Sequence, residues 1–405
     1  RAKTCVMIRL DVWVTLTDGA QIHAGELACT DADRQGRYAS AFRYVPDYLA
    51  DPRAFPLDPA ALPLSAQEFQ STQLNPPLLA LEDALPDAWG RRLLVLTHGL
   101  ARGQQAEPHL LRVLGGAGLG ALAFAPPGQR PAHQESSAHS VALNALADAA
   151  AKLEAGAEID IASRKLLAAG SSPGGARPKA LVYDDSGHWL AKFASRRDDA
   201  DLVGLEATSL ALARQAGLAV PDFRITVLSD TRRALLVRRF DRSATQGRLH
   251  MLSFRALLQA SGYYVQSYAD LITALRRYGA EPETDVPRLF RQMVFNALLG
   301  NTDDHLKNFW LLHGTHGWVL SPAFDLLPDT SALREHVLLF DQSPSAPKPA
   351  QLAALGRKWG VTKAARVCEE VLSAMAEFSE IAAHYQVPHT DIERFAKDIN
   401  RRIQP

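Results

Sequence analysis

The stretch from Gly300 to Trp310 contains residue types that could carry out phosphate chemistry. Asp303 is followed five residues later by Asn308, and a second acid, Asp325, follows the apolar run that comes next. Phosphoryl-transfer enzymes use an acid, an amide and a second acid in this order. Asp325 and Asn308 offer the oxygen ligands that Mg²⁺ prefers, and Asp303 could accept the proton of an attacking hydroxyl. The sequence therefore predicts Asp303 as a catalytic residue, with Asn308 and Asp325 on magnesium.

The same residue types also favour an ordinary solvated turn, because Asp and Asn side chains bond to their own backbone. The interpretation as a site needs other parts of a nucleotide-binding apparatus upstream. Residues 170–179 are rich in glycine and include Arg177 and Lys179, which suits an anion site. Lys192 follows in an apolar strand, as the lysine that holds nucleotide phosphates does in protein kinases, and Glu206 on the next helix is its candidate partner. The alternative for Lys192 is an exposed position in a plain hairpin. The alternative for Glu206 is an acid that simply interacts with the dipole at a helix N-terminus.

Composition restricts the class of protein. The 405 residues include 47% apolar types, enough for two or three buried cores, and 44 basic residues balance 44 acidic ones. This balance gives no argument for a direct nucleic-acid or membrane partner. Cys5, Cys29 and Cys368 are far apart and match no zinc spacing. Together with the absence of a long apolar segment, they predict a soluble, cytoplasmic protein.

The pattern of the chain predicts a small mixed domain followed by a larger one. Alternating apolar residues predict strands near the N-terminus, and the glycines at 115–120 lead into an apolar strand rather than forming a phosphate loop. Helices are predicted over 79–100, 251–260, 286–299 and much of 351–403. The predicted organisation is an N-terminal domain over 1–125, a linker or exposed loop over 126–140, a nucleotide-binding lobe over 141–240 and a helical lobe over 241–405.

Several of these features occur together and in one order, and that set resembles the HipA family of serine/threonine kinase toxins from type II toxin–antitoxin systems. The matching pieces are Ser172-x-x-Gly175-x-x-x-Lys179, Lys192, Val237 to Arg242, Thr302 to Phe309, and Pro322-x-Phe324-Asp325. Leu10 to Trp13, Leu85-Pro86-Asp87 and Gly120-Ala121-Leu122 are similar to the small domain that precedes the kinase core in that family.

The resemblance implies an α+β, two-lobed protein-kinase-like fold with a small N-terminal mixed α/β domain and a mainly helical C-terminal lobe. It implies ATP and Mg²⁺ as cofactors and Asp303 as the catalytic base. It also implies autophosphorylation of Ser172, with Ser171 as the neighbouring alternative, which would add nearly two negative charges to the glycine loop. The ATP-binding residues that it implies are Gly174, Gly175, Ala176, Arg177, Pro178, Lys179, Lys192, Arg238, Arg239, Phe240, Asp304, His305 and Phe324.

The family resemblance further implies a partner, a helix-turn-helix antitoxin (HipB-like) that would bring operator DNA indirectly. A protein substrate follows as well, with glutamate–tRNA ligase as the best-known target class. Two other functions fit part of the pattern. A small-molecule phosphotransferase would need an acidic pocket, for which Glu281, Glu283 and Asp285 in a loop broken by proline are the clearest cluster. A catalytically silent corepressor should have lost the motif residues, yet they are present.

Overall fold

The computed structural model describes residues 7–71, 78–131, 138–169, 177–229, 231–243, 245, 247–260, 265–330 and 334–404. The strands, in chain order, are β1 Met7–Thr15, β2 Gln21–Thr30, β3 Ser40–Tyr44, β4 Phe69–Ser71, β5 Leu122–Ala125, β6 Ala138–His139, β7 Lys179–Asp184, β8 Gly187–Phe193, β9 Phe223–Val227, β10 Arg233–Arg238, β11 His250–Ser253, β12 Trp310–Gly314 and β13 Gly317–Leu320.

The helices alternate with these strands and become dominant toward the C-terminus. They are α1 Pro46–Ala50, α2 Leu79–Glu82, α3 Ala88–Thr97, α4 Glu107–Leu114, α5 Leu143–Glu154, α6 Ile161–Ala169, α7 Leu202–Gln215, α8 Phe254–Leu257, α9 Tyr268–Tyr278, α10 Pro282–Leu299, α11 Pro349–Lys358, α12 Ala364–Ala376, α13 Phe378–His384 and α14 His389–Ile403. None of these helices is both long and apolar enough to cross a membrane.

The chain divides into two compact units. The first unit consists of Arg1–Leu190, Arg239–Ser261 and Leu312–Gly314. Its main element is an antiparallel sheet in the order β4-β3-β2-β1-β5. Leu10, Val12 and Val14 of β1 are all buried, as expected when alternate side chains of a strand face one core.

A second sheet begins in the first unit, where β6 pairs parallel with β7, and β7 is followed in the sheet by β8. The division between the units falls within β8, after Leu190. The strand β6 ends the stretch 126–140, which the sequence predicted to be a linker or exposed loop. The strand β11 neighbours β12, whose residues 312–314 also belong to the first unit.

The second unit consists of Ala191–Arg238, Gly262–Leu311 and Thr315–Pro405. It holds the end of β8, the strands β9 and β10, the first two residues of β12, the strand β13, and the helices α7 and α9 to α14. The second half of α10 is buried at every position from Gln292 to Leu299. A helix that is apolar around its whole circumference is expected at the centre of a core. The helix α10 therefore gives rigid support to the loop that follows it.

Three of the predicted elements differ from the structure. The helix predicted over 79–100 is two helices, α2 and α3, because Pro86 has no N–H group and disfavours helix at the residue before it. The helix predicted over 251–260 is the strand β11 followed by one helical turn, which begins where the Ser253 hydroxyl accepts from the Ala256 N–H. The helix predicted to begin at 286 begins at Pro282, since proline is well suited to the first turn.

Candidate active site

The loop that carries Asp303 is fixed at both of its ends. The helix α10 ends at Gly300, whose φ of 78° is in the left-handed region that favours glycine. The Asn301 N–H then donates to the Asn296 carbonyl at 3.0 Å. At the other end, the Asn308 side-chain amide donates to the Asp303 carbonyl at 2.7 Å. The Asp303 side chain projects from this braced loop and is 82% exposed, so an incoming hydroxyl could reach it.

Asp325 lies in the loop after β13, at a position of unusual backbone geometry. Its φ of 55° is in the left-handed region, which costs a non-glycine residue about 1–3 kcal/mol. The preceding residues are held in place: the Ser321 N–H donates to the Trp310 carbonyl at 2.9 Å and the Ala323 N–H to the Ala219 carbonyl at 2.8 Å. The surrounding chain therefore maintains the strained conformation that directs the Asp325 carboxylate.

Lys192 connects Asp325 to Glu206. Its ammonium group lies 2.5 Å from Glu206 Oε1 and 2.5 Å from Asp325 Oδ1. The lysine and glutamate side chains are 15% and 11% exposed, whereas that of Asp325 is 41% exposed. Burial alone would lower the pKa of Lys192, but the two carboxylates outweigh it and raise that pKa above its usual value. Lys192 therefore stays charged at the edge of a partly open site.

Burial and several charged neighbours affect the pKa of Asp303. Desolvation by the surrounding protein raises the pKa of Asp303, the nearby His305 lowers it, and the carboxylates of Asp325, Asp304 and Asp329 raise it. The net effect is a raised pKa, which solvent screens because most of the Asp303 side chain is exposed. The direct contacts are those of His305, whose Nε2 lies 3.9 Å from Asp303 Oδ1, and of Asp325, whose Oδ1 bonds to the Lys192 ammonium.

These residues fit magnesium bound together with a nucleotide. Among the residues described, no three His, Cys, Asp or Glu side chains are grouped to hold a metal by themselves. Mg²⁺ in nucleotide sites uses only one or two carboxylates, because phosphates and waters complete its coordination. The Asp325 carboxylate could supply one ligand. The Asn308 amide nitrogen is engaged with the Asp303 carbonyl, so its amide oxygen is the atom that could supply another.

Other predicted residues of the second unit lie at different depths. His305 is half-buried, with Nε2 3.9 Å from Asp303 Oδ1, and Phe324 is half-buried next to Asp325. Arg238 is exposed, with its guanidinium 3.6 Å from a carboxylate oxygen of Asp222. Asp304 is 0% exposed. A fully buried carboxylate does not favour direct contact with a nucleotide, and the part of Asp304 in ATP binding stays a prediction.

The remaining predicted residues with described positions belong to the first unit. Arg177 is exposed, Pro178 is buried, and Lys179 is 5% exposed, with its carbonyl accepting from Trp89 Nε1 at 3.0 Å. Phe240 is half-buried, and Arg239 forms two hydrogen bonds with the Asp241 carboxylate. Their roles in ATP binding stay predictions. Ser171, Ser172, Gly174, Gly175 and Ala176 lie outside the described residues, as does Cys5.

Sequence reasoning missed the supporting carboxylates. Asp285 was interpreted as part of an acidic loop, but it is 1% exposed and lies in the first turn of α10. Its Oδ2 accepts from the Leu320 N–H and its Oδ1 from Arg288, both at 2.7 Å. The three-residue spacing from Arg288 is a signal that could have identified a helical ion pair. The Leu320 contact spans 35 residues and left no local signal.

The chain is similar to proteins of the HipA family and to relatives named as kinase or toxin. Family models described as the HipA N-terminal domain and the HipA-like C-terminal domain match residues 15–125 and 171–381. The putative kinase Y4mE of Sinorhizobium fredii is 28% identical over 332 residues, 73% of each chain. The toxin YjjJ of Escherichia coli K12 is 26% identical over 172 residues, 39% of this chain and 38% of the toxin.

A solved structure shows the same fold. HipA of Shewanella oneidensis MR-1, in a complex with HipB and operator DNA, superposes with a TM-score of 0.68 at 20% identity, and the match covers 96% of both chains. The predicted α+β, kinase-like fold is thereby confirmed. The fold is kinase-like, and within the second unit Lys192 contacts both Glu206 and Asp325. The chain belongs to the HipA family.

Proposed function

We propose that this HipA-family protein is an ATP- and Mg²⁺-dependent serine/threonine protein kinase and the toxin of a toxin–antitoxin module. The observation that carries the proposal is the pair of contacts from Lys192 to Glu206 and Asp325, together with an Asp303 side chain that is exposed at the end of a braced loop. Protein kinases require a strand lysine paired with a helix glutamate, and an aspartate that binds magnesium. Relatives named as a putative kinase and as a toxin support the same class of activity.

Each residue then has a defined role. Asp303 holds the hydroxyl of a substrate serine or threonine and takes its proton, while Lys192 binds phosphate oxygens of the nucleotide. Glu206 keeps Lys192 in place. Asp325 and Asn308 would hold Mg²⁺, which when bound neutralises charge on the phosphates. The phosphoryl group passes from ATP to the substrate oxygen, and ADP leaves.

The family also suggests the partners and the regulation. We propose a HipB-like helix-turn-helix antitoxin as the partner, because the structural relative is a HipA from a complex with HipB and operator DNA. The operator DNA would be reached through that antitoxin. We further propose that the enzyme phosphorylates a translation component, with glutamate–tRNA ligase as the first to test, and that it phosphorylates itself on Ser172 or Ser171.

The position of the acidic cluster argues against the small-molecule alternative. Asp285 is buried in internal contacts, so the acids at 281, 283 and 285 do not form an open pocket for a cationic substrate. The corepressor alternative predicts degraded motif residues, whereas Lys192, Asp303 and Asp325 are all present.

The proposal is tested with purified protein, γ-labelled ATP, Mg²⁺ and a cell extract. A protein kinase should place the label in protein on serine or threonine, as detected by mass spectrometry, and the Asp303→Ala variant should place none. The Glu283→Gln variant is the matched control, because this acid is exposed and lies outside the site. Label found only in small molecules would favour the alternative phosphotransferase. No transfer at all would contradict the kinase proposal.

A further inference from the structure

The carboxylate of Asp304 receives hydrogen bonds from two segments distant in the sequence. Its Oδ2 accepts from the Tyr268 hydroxyl at 2.6 Å and from His336 Nδ1 at 3.0 Å. Its Oδ1 accepts from the backbone N–H groups of Val337 at 2.9 Å and Leu338 at 3.3 Å. Asp304 and His336 are both 0% exposed. A buried carboxylate is stable only when it has hydrogen-bond partners. The four donors around Asp304 supply them.

The partners themselves are fixed by further contacts. The Tyr268 hydroxyl accepts from the Asn296 amide at 3.1 Å, and the Asn301 amide donates to Asn296 Oδ1 at 3.1 Å. The network thus runs from the buried end of α10 through the start of α9 to Asp304. Buried hydrogen bonds linked in this way make a core rigid. They hold side chains and backbone in one arrangement.

The same network attaches the segment after the Asp325 loop, residues 334–340. The Val337 N–H also donates to the Thr302 carbonyl at 3.2 Å, next to the proposed catalytic base. The Leu339 N–H donates to the Gln266 carbonyl, and the Tyr268 N–H donates to the Leu339 carbonyl, both at 3.0 Å. Backbone hydrogen bonds therefore attach this segment both to the loop of Asp304 and to the start of α9. A shift in either part would move the backbone that carries Asp303.

His336 has a defined protonation pattern in this arrangement. Because a carboxylate only accepts, His336 Nδ1 must carry a proton and donate it to Asp304. The other ring nitrogen, Nε2, is buried and has no hydrogen-bond partner among the described atoms. The imidazole therefore makes its single polar side-chain contact, within the part of the chain that the structure describes, with Asp304.

We propose that Asp304 is a positioning residue for phosphoryl transfer, and that it sets the backbone at Asp303 by joining the catalytic loop to Tyr268 and to the segment His336–Leu338. This inference rests on the proposed kinase function. Asp304 touches neither substrate nor nucleotide and acts only through its neighbour. Misplacement of a catalytic group by about 1 Å can lower a rate about 100-fold, so loss of this anchor should reduce kcat.

The first test separates positioning from nucleotide binding. In the full-length Asp304→Asn variant, an amide nitrogen that only donates replaces one carboxylate oxygen and faces two hydrogen-bond donors, so we expect kcat to fall about 10- to 100-fold. The KM for ATP should stay within about twofold, because uniform binding of ATP is unchanged. Dephosphorylated casein serves as the acceptor probe. Asp341→Asn is the control, since that exposed aspartate lies in the same region and pairs only with Lys358 among its described contacts.

A second pair of variants tests the imidazole contact. In His336→Asn the amide can still donate where Nδ1 did, whereas His336→Leu removes the donor and leaves Asp304 under-satisfied. We expect His336→Asn to retain most of the wild-type kcat and His336→Leu to lose it. A purely space-filling role for His336 would reverse this order, because leucine fills an apolar core better than asparagine, and would overturn the inference.

Hydrogen–deuterium exchange gives a readout that needs no activity. In Asp304→Asn, amide exchange should become faster in peptides covering 300–310 and 334–342 and stay unchanged in the helices α11 to α14. Wild-type exchange and wild-type kcat in this variant would overturn the inference, as would a raised KM for ATP with unchanged kcat. If the wild-type protein transfers no phosphate, the kinase proposal fails. Amide exchange in the peptides 300–310 and 334–342 then still decides whether Asp304 joins these two segments.

Discussion

Lys192 and Asp325 are 133 positions apart in the sequence, yet the Lys192 ammonium lies 2.5 Å from Asp325 Oδ1. The contact joins the end of a β-strand to the loop that follows the β12 and β13 pair. Glu206 holds the same ammonium from the helix α7. The Lys192 ammonium therefore fixes the relative position of the two carboxylates. The first prediction for this site follows from removing that ammonium.

Replacing Lys192 with methionine should affect both stability and catalysis. The Glu206 carboxylate, 11% exposed, would lose its cation, and breaking a buried pair in this way costs about 3–5 kcal/mol. Phosphate transfer should fall about 100- to 1000-fold, the usual effect of removing one preorganised charge at a transition state. Chemical denaturation and a transfer assay measure the two effects. In the double variant with Glu206→Gln, the free energy of unfolding should recover while transfer stays low; unchanged transfer in Lys192→Met would refute the assignment.

The anchor of the Asp325 loop gives a second prediction. Asp285→Ala removes the acceptor of the buried Leu320 N–H and the partner of Arg288, which should lower the free energy of unfolding by about 2–4 kcal/mol. Transfer should also decrease, because Leu320 precedes the segment that leads to Asp325. The control is Glu283→Ala, at an exposed position two residues earlier in the first turn of α10. It should change stability by no more than about 0.5 kcal/mol. Equal stability of the two variants would show that Asp285 is not an anchor.

Local patterns predicted much of the fold. Alternation predicted strands near the N-terminus, where β1 and β2 lie, because a strand with one buried face repeats every two residues. The apolar strand predicted around Lys192 is β8. The exceptions depend on tertiary contacts or on one residue. Pro86 interrupts the helix predicted over 79–100, and Met251 and Leu252 are buried in a strand although their local pattern also fits a helix.

The sequence indicated the exposed acids of the candidate site. It did not indicate the buried side chains that hold the site in place. The spacing from Asp303 to Asn308 reflects a local contact, the hydrogen bond from the Asn308 amide to the Asp303 carbonyl, so it can be read from the sequence. The direction of Asp304 depends on Tyr268 and His336, which are 36 and 32 residues away. Adjacent aspartates look alike in a sequence. Only packing shows that one is exposed and the other buried.

Stability should depend on pH through Asp58 of the first unit. This side chain is 0% exposed, and burial raises its pKa to about 6, although the N–H groups of Ala61 and Ala60 lower it somewhat. Because the folded state binds the proton more tightly than the unfolded state, this contribution to stability is present below about pH 4. It is lost as pH rises through about 6, with a total on the order of 3 kcal/mol.

The Asp58→Asn variant isolates this effect. The amide oxygen can still accept from the Ala60 and Ala61 N–H groups, but no charge is buried. Unfolding temperatures of both proteins should therefore differ at pH 8, with the variant higher, and converge near pH 4. A constant difference across this range would contradict the assignment of the titration to Asp58.

A buried charge cluster in the first unit gives a further prediction. The Asp241 carboxylate accepts from the Gly120 N–H, Arg239 and Arg242, and the two arginine side chains are 7% and 13% exposed. Asp241→Ala should lower the free energy of unfolding by about 3–5 kcal/mol, because two buried cations lose their counterion. Asp222→Ala provides the comparison.

Asp222 also contacts two arginines, Arg214 and Arg238, but its side chain is 66% exposed. Loss of surface pairs should cost no more than about 1 kcal/mol. Thermal or chemical unfolding of both variants measures the difference. Similar losses would mean that burial does not govern the Asp241 cluster.

The claim that Lys192, Asp303 and Asp325 form one phosphoryl-transfer site is tested most directly by transfer of labelled γ-phosphate from Mg²⁺–ATP into protein. The measurement compares the wild-type chain with Asp303→Asn, Asp325→Asn and the control Glu283→Gln, each checked for wild-type unfolding behaviour. The account predicts transfer by the wild type and the control, and a loss of at least about 100-fold in both aspartate variants. Transfer at the wild-type rate by either folded aspartate variant would contradict it.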